Sequence, residues 1–242
     1  MPYERSRLGR SALLKRLPAA GPEGSSLFVP PGATLPPIAL PAEDSDALAD
    51  FVAGSTTGVA AFVARARVMV VAPPFPIEAR EEYGCIEPAP LIEALERRRT
   101  VGVFLLRLGG FSTGVFRGDA LVASKTDQRF VKNRHRKGGQ SQRRFERIRE
   151  KQVHELFGKA CEEARATIGP YEAEVQHVLL GGDRRTLQAF LKECDYFERF
   201  GDRLMARLLP APGDPRLAML ASMPREIWSS DVWEWRPEAP GP

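Results

Sequence analysis

Residues 101–120 read VGVFLLRLGGFSTGVFRGDA, and the fold class turns on this stretch. Val101–Leu108 is a nearly continuous apolar run, as a strand buried on both faces requires. Gly109-Gly110 is a hairpin turn signal, and the apolar pattern returns over Phe111–Phe116. Gly118-Asp119 is a second turn signal, and Ala120–Ser124 reads as a third strand.

Downstream the period becomes helical. Phe145, Ile148, Leu156, Phe157, Ala160, Cys161, Ala164 and Ile168 place a long helix over Ser141–Ile168, ended by Gly169-Pro170. Val175–Leu180 is a buried-type strand, followed by Gly181-Gly182-Asp183, with Asp183 an expected N-cap for a helix over Arg184–Lys192. A strand at Leu204–Leu209 and a helix at Pro215–Met223 follow. A meander followed by alternating helices and strands indicates an α+β or α/β domain, a mixed β-sheet with flanking helices.

Upstream, residues 1–96 are rich in Pro, Gly and Ala, with Pro-rich patches at Pro30–Pro41 and Pro73–Pro76. Short helices are expected at Ser45–Val52 and Pro90–Arg98, and one or two strands at Ala60–Ala72. At the other end, Ile227–Pro242 holds all three tryptophans, Trp228, Trp233 and Trp235. They could be base-stacking platforms, but the acids beside them (Asp231, Glu234, Glu238) favour core or edge packing, with fraying after Trp235. The expected organisation is a small α/β N-terminal domain over 1–96, a second domain over 97–230 and a tail over 231–242.

The chain has 242 residues and a net charge of +4. Lys125–Lys151 carries eleven Lys/Arg against three acids, a local +8, so the other residues sum to −4. Such a concentrated charge points to a polyanionic partner. Phe130–Gln140 lies inside this run, polar, basic and without periodicity, and reads as an exposed loop. Within it, Gly138-Gly139-Gln140 is a neutral, amide-bearing tripeptide in a cationic collar. Two glycines admit torsions closed to other residues and permit close approach of a ligand to the main chain. The pattern suits a loop that reaches into RNA.

Other chemistries are less well supplied. Gly110-Phe111-Ser112-Thr113-Gly114 matches the G-x-S-x-G of serine hydrolases, but strand-like sequence lies on both sides of it and the nucleophile elbow needs a following helix. Gly181-Gly182-Asp183 lacks the residues of a phosphate-binding loop. Cys85, Cys161 and Cys194 are widely spaced and odd in number, so neither a disulfide framework nor a zinc site is expected. His135, His154 and His177 are scattered, so no metal is expected. No apolar run is long enough to span a bilayer, and the N-terminus lacks a signal-peptide layout. A cytoplasmic monomer without membrane partner or cofactor is expected.

Residues 138–164, GGQSQRRFERIREKQVHELFGKACEEA, resemble the middle domain of the class I translation release factors of eukaryotes and archaea. There the same tripeptide leads through a Ser and a short spacer into Arg-Phe-x-Arg and a long helix. Residues 101–120 are similar to that domain's opening strands, and 177–204 to its later strand–helix segment. The resemblance covers about 97–227. Residues 24–32 (GSSLFVPPG) and 75–95 are similar to pieces of the decoding domain, but its helical insertion that reads stop codons has no counterpart. That outline resembles the Vms-like release factor family, including its actinobacterial members.

The resemblance implies a codon-independent peptidyl-tRNA hydrolase that releases nascent chains from stalled ribosomes or large subunits. Its partners would be peptidyl-tRNA and large-subunit RNA. Gln140, Gly139 and Gly138 would be the catalytic residues. The Gln140 backbone N–H would face the leaving oxygen and its side chain would order the water. Arg134, His135, Arg136, Lys137, Arg143, Arg144 and Arg147 would contact RNA. Two alternatives stay open: an RNase cleaving the tRNA 3′ end, and a ribosome-binding module without catalysis.

Overall fold

Alternation of apolar residues in the strands gives each sheet two packing faces. A computed structural model of the chain describes residues 3–129 and 140–237, with side chains on 140–143 left aside. The chain forms two compact units, residues 1–97 with 225–242, and residues 98–224.

The first unit contains β1 (Tyr3–Leu8), α1 (Arg10–Arg16), β2 (Ser25–Val29), α2 (Ala42–Ala53), β3 (Val59–Ala64), β4 (Arg67–Ala72), β5 (Glu81–Tyr83) and α3 (Ala89–Glu96). Ala60, Phe62, Met69 and Val71 pack into a core with Leu13 of α1 and Leu91 and Leu95 of α3. Their sequence neighbours Val59, Ala61, Val68 and Val70 pack into a second core with Leu48 of α2. This period-2 division is what the apolar run Ala60–Ala72 encodes.

The second unit contains β6 (Thr100–Arg107), β7 (Gly110–Arg117), β8 (Ala120–Gln128), α4 (Gln140–Ile168), β9 (His177–Gly182), α5 (Arg184–Leu191), β10 (Leu204–Leu209) and α6 (Leu217–Ser222). A 3-10 segment spans Asp195–Arg203. The sheet order is β10-β9-β6-β7-β8. The β10–β9 and β9–β6 pairs are parallel, and β6–β7 and β7–β8 are antiparallel. This is the expected mixed sheet with flanking helices. One face carries Phe104, Leu106, Phe111, Val115, Val178 and Leu180, all in one core with α4, α5 and the 3-10 segment.

The chain then turns back through α7 (Pro224–Ile227) into β11 (Ser230–Trp235), which lies between β1 and β4 in the first unit's antiparallel sheet, β1-β11-β4-β3-β2-β5. Residues 231–242, expected as a tail, therefore include a central strand. The reason is Trp233, whose fully buried ring stacks on Tyr3. Trp228 is buried too, and Trp235 donates its indole N–H to Asp44 at 2.9 Å. Packing, and not base stacking, occupies the tryptophans.

The cysteines depart from expectation. Cys161 of α4 and Cys194 form a disulfide, 33 residues apart in sequence. Spacing alone could not reveal the pair, because it is the packing of α4 on the segment after α5 that brings the two together. Cys85 is free.

Candidate active site

The parallel strands β6 and β9 end at the same edge of the second sheet. There Leu106 pairs with both Phe111 and Gly182, and Gly110 pairs with Gln128. The β6–β7 turn, the exit of β8 and the β9–α5 turn thus share one sheet end. Arg129, the first residue after β8, donates its backbone N–H to Gly109 at 2.9 Å, which fixes the point from which residues 130–139 depart.

The helix α4 returns to the same end and passes it. Ile168 lies beside Gly102 near the start of β6; a Cβ built on that glycine would stand 3.5 Å from the Ile168 side chain. Counting back, the buried residues of α4 are Ala164, Ala160, Phe157 and Leu156. The twelve residues from Ile168 to Leu156 rise roughly 18 Å, whereas Gly102 to Leu106 covers only about 13 Å of strand. By Leu156 the helix has therefore covered the length of β6 from Gly102, and Val153, one turn on, still packs against the core. Residues 140–152 continue beyond it for roughly 18 Å, and none of those described there is buried. α4 is a stalk with Gln140 at its head.

The buried half is anchored from both sides. The Cys161–Cys194 disulfide and a 2.8 Å contact between His154 Nδ1 and Glu193 tie it to the α5 side. On the other side Lys159 and Lys125 share Glu163, at 3.0 and 3.8 Å. Rigid support of this kind is what holds a functional loop in position.

Charges within Lys125–Lys151 separate into two groups. Lys125, Arg129 and Lys151 are paired with Glu163, Asp127 and Glu155. Arg144 and Arg147 are exposed and have no ion-pair partner among the described residues. Positions 140, 144, 147 and 151 follow helical spacing and share one side of α4, away from the stripe that enters the core. Phe145, 45% exposed, adds an aromatic ring to the stalk.

Gln140 is the first helical residue of α4. Its backbone N–H belongs to the four that an α-helix leaves without an intrahelical acceptor. The first turn carries no acid, the residue type that would offset the positive end of the helix dipole from within the helix. A donor in such a position can stabilise negative charge. Gly138 and Gly139, with Arg134, His135, Arg136 and Lys137, lie outside the described residues, as do the side chains of Gln140 and Arg143.

Competing motifs resolve structurally. β7 runs straight through Gly110–Arg117, and Ser112 is buried with its hydroxyl donating to Pro215 O at 2.7 Å. It is not a nucleophile elbow. Gly181-Gly182-Asp183 is a strand-to-helix turn, with Asp183 Oδ1 accepting from Thr186 N and Thr186 Oγ1 at 2.8 and 2.7 Å. Those bonds, the hydroxyl's first, hold the Asp183 carboxyl below its usual pKa. Gly182 has φ +119°, and a Cβ there would lie 2.0 Å from Leu106 O, so glycine is required. Among the described residues, no group of three His, Cys, Asp or Glu is placed to hold a metal ion.

Sequence comparison identifies the fold's relatives. Residues 99–233 match the Actinobacteria/chloroflexi VLRF1 release factor family. The chain is 32% identical over 124 residues to peptide chain release factor subunit 1 of Archaeoglobus fulgidus, covering 50% of this chain and 30% of that protein. The corresponding protein of Methanopyrus kandleri is 30% identical over 133 residues, covering 54% and 32%. The chain thus spans about a third of the length of these curated relatives. Similar solved structures include an archaeal translation termination factor, aRF1, with TM-score 0.40 and 21% identity over 88% of this chain and 68% of that one. Another is the Vms1 mitochondrial localization core, with TM-score 0.41 and 10% identity over 76% and 77%. Superpositions this loose carry no weight, and the assignment stands on the family match across more than half of the 242 residues. The chain belongs to the Actinobacteria/chloroflexi VLRF1 release factor family.

Proposed function

We propose that this protein is a codon-independent peptidyl-tRNA hydrolase that frees nascent chains from stalled ribosomes or large subunits. The observation that carries the reading is the stalk: a helix running past its core by roughly 18 Å, headed by Gln140 and edged by arginines without partners among the described residues. A reach of this kind suits a substrate recessed inside a large RNA particle. Membership of a release factor family supports the same substrate class.

The chemistry asked of the site is modest. Water attacks the ester carbonyl joining the peptide to the tRNA 3′ oxygen, and the tetrahedral intermediate collapses with departure of that oxygen, which takes a proton to become the 3′ hydroxyl. The Gln140 N–H, one of those that a helix start leaves without an intrahelical acceptor, is suited to hydrogen-bond the departing oxygen as negative charge builds there. Its side-chain amide would order the water. Gly138 and Gly139 would supply torsional freedom and clearance. RNA would supply the remaining walls of the site, with Arg144 and Arg147, and the collar of Arg134, His135, Arg136, Lys137 and Arg143, holding phosphates. The protein would act as a monomer in the cytoplasm.

Independence from codons is supported by the first unit, where the longest helix among the described residues is α2, twelve residues or roughly 18 Å. The test is a release assay on stop-programmed ribosomes, sense-programmed ribosomes and split large subunits, each carrying peptidyl-tRNA, with the tRNA 3′ ends sequenced afterwards. Release from split subunits with intact 3′ ends is expected. Release confined to stop-programmed ribosomes would overturn codon independence, and shortened 3′ ends would make the protein an RNase.

A further inference from the structure

We propose that the Cys161–Cys194 disulfide is a redox-controlled brace of the stalk: oxidised, it holds α4 in the pose that presents Gln140, and reduced, it lets that pose loosen. The inference rests on the reading that the protein releases peptides in the cytoplasm. Its ground is a cluster of side chains that this reading does not use.

Four consecutive residues after α5 grip α4. Glu193 Oε2 lies 2.8 Å from His154 Nδ1, and Cys194 is bonded to Cys161. Asp195 accepts from the Arg165 guanidinium at 3.1 Å, and that guanidinium lies over the Tyr196 ring, 5.2 Å from its centroid. The partners on α4, His154, Cys161 and Arg165, run along roughly 16 Å of helix. The first of them directly follows Val153, where α4 leaves the core. The clasp therefore sits at the base of the stalk.

Its ties are unequal. The His154 and Glu193 side chains are 67% and 36% exposed, and those of Arg165 and Asp195 are 55% and 83% exposed. Exposed ion pairs contribute little. The covalent bond, which closes a stretch of 33 residues, is the strong tie. The apolar stripe keeps α4 on the sheet in either redox state. What the bond adds is a fixed point on the α5 side, and its state decides whether the clasp holds.

Thiol–disulfide exchange has a way in. Cys194 is 1% exposed, whereas Cys161 is only partly buried. The thiolate of a dithiol reductant attacks the Cys161 sulfur and forms a mixed disulfide as the S–S bond breaks. Cys194 leaves as a thiolate and takes a proton. The second thiol of the reductant, losing its proton, then attacks the mixed disulfide, which frees Cys161 as a thiol and leaves the reductant as a disulfide. Two electrons and two protons pass to the protein. In a thiol-rich compartment such bonds are transient and serve sensing or catalysis more often than permanent stapling.

The experiment uses the full chain equilibrated in mixtures of reduced and oxidised dithiothreitol. Alkylation under denaturing conditions counts thiols: Cys85 alone in the oxidised form, all three cysteines in the reduced form. Amide exchange over residues 144–160 should be roughly tenfold faster in the reduced form. Single-turnover release from large subunits carrying peptidyl-tRNA should be slower in that form by roughly ten- to a hundredfold, the effect of a slightly misplaced reactive group, while subunit binding is unchanged. Re-oxidation should restore both. Cys161→Ser with Cys194→Ser should match the reduced wild type and be indifferent to the dithiol. A pair that stays reduced in every mixture, or stays oxidised in excess dithiol, overturns the switch. Equal exchange in the two forms overturns the brace, and equal release rates overturn its control of the reaction. Exchange that follows redox state while neither form releases peptide keeps the brace and overturns the hydrolase reading instead.

Discussion

In the first unit arginines converge on one buried carboxylate, whereas in the second Arg144, Arg147, Arg184 and Arg185 have no ion pair among the described residues. Glu234 of β11, 4% exposed, takes ion pairs from Arg67 at 2.8 Å, Arg16 at 3.0 Å and Arg236 at 2.6 Å. Those arginines help tie β11, which arrives from the far end of the sequence, to α1 and β4. Arg144, Arg147, Arg184 and Arg185 tie nothing together. The same side chain thus serves cohesion around Glu234 and is left available at these four positions of the second unit. A cation paired internally is weak evidence for a polyanionic partner; an exposed cation without a partner, held on a rigid element, is stronger evidence.

The comparison would break most plainly at Glu234. Glu234→Gln leaves three arginines without their shared charge and should destabilise the first unit by about 1–3 kcal/mol, less than a fully buried pair because the guanidinium groups reach water. Denaturant unfolding checks this, and a change below about 0.5 kcal/mol would mean that the cluster contributes no cohesion.

Acid should separate the units next. Burial, reinforced by Arg99, lowers His177 in the second unit from 6.5 to about 4. The folded state thus favours the neutral imidazole, and its contribution is full above 6.5 and lost as pH falls from 6.5 toward 4. For Glu234, burial pushes the carboxyl up, but hydrogen bonds from Arg236 and Arg67 outweigh it and the net direction is below 4.5. Its contribution holds above 4.5 and is lost as pH falls further. Near pH 5.5, inside the His177 window and above that of Glu234, amide exchange should speed up in β9 and β6 before it does in β11 and β4. The reverse order would contradict the assignment.

Arg144→Gln with Arg147→Gln should show the smallest effect on stability, within about 0.5 kcal/mol, while flattening the salt dependence of large-subunit binding. A marked loss of stability would mean that these arginines are structural after all.

Much of the second unit was legible because its signals are local. The hairpin glycines, the Asp183 cap and the stripe from Leu156 to Ile168 each report their own neighbourhood. β8 runs to Gln128 instead of Ser124, since its polar second half pairs as an edge strand and needs no apolar pattern. The first unit was harder to read. β1, YERSRL, carries no strand signal by composition, and it forms because β11 returns from more than two hundred residues away to pair with it. The partner's SDVWEW alternates, but its tryptophans and acids read equally well as a fraying end. The Cys161–Cys194 pair was hidden for the same reason. In the candidate site, the tripeptide and the basic collar were visible as composition. What sequence could not supply was which cations are already paired and how far the helix runs past its core, both of which depend on tertiary packing.

The most direct test of the account is single-turnover peptide release from large subunits by the wild type, Gln140→Ala and Gly139→Ala, with subunit binding measured in parallel. Loss of the Gln140 side chain should slow release while binding is unchanged. Gly139→Ala should slow it further, toward the roughly 10²–10³-fold expected when a preorganised donor is misplaced, because the backbone carrying that donor is restricted. Wild-type release rates from both variants would contradict the assignment of Gly138-Gly139-Gln140 as the reactive element and leave the stalk without its purpose.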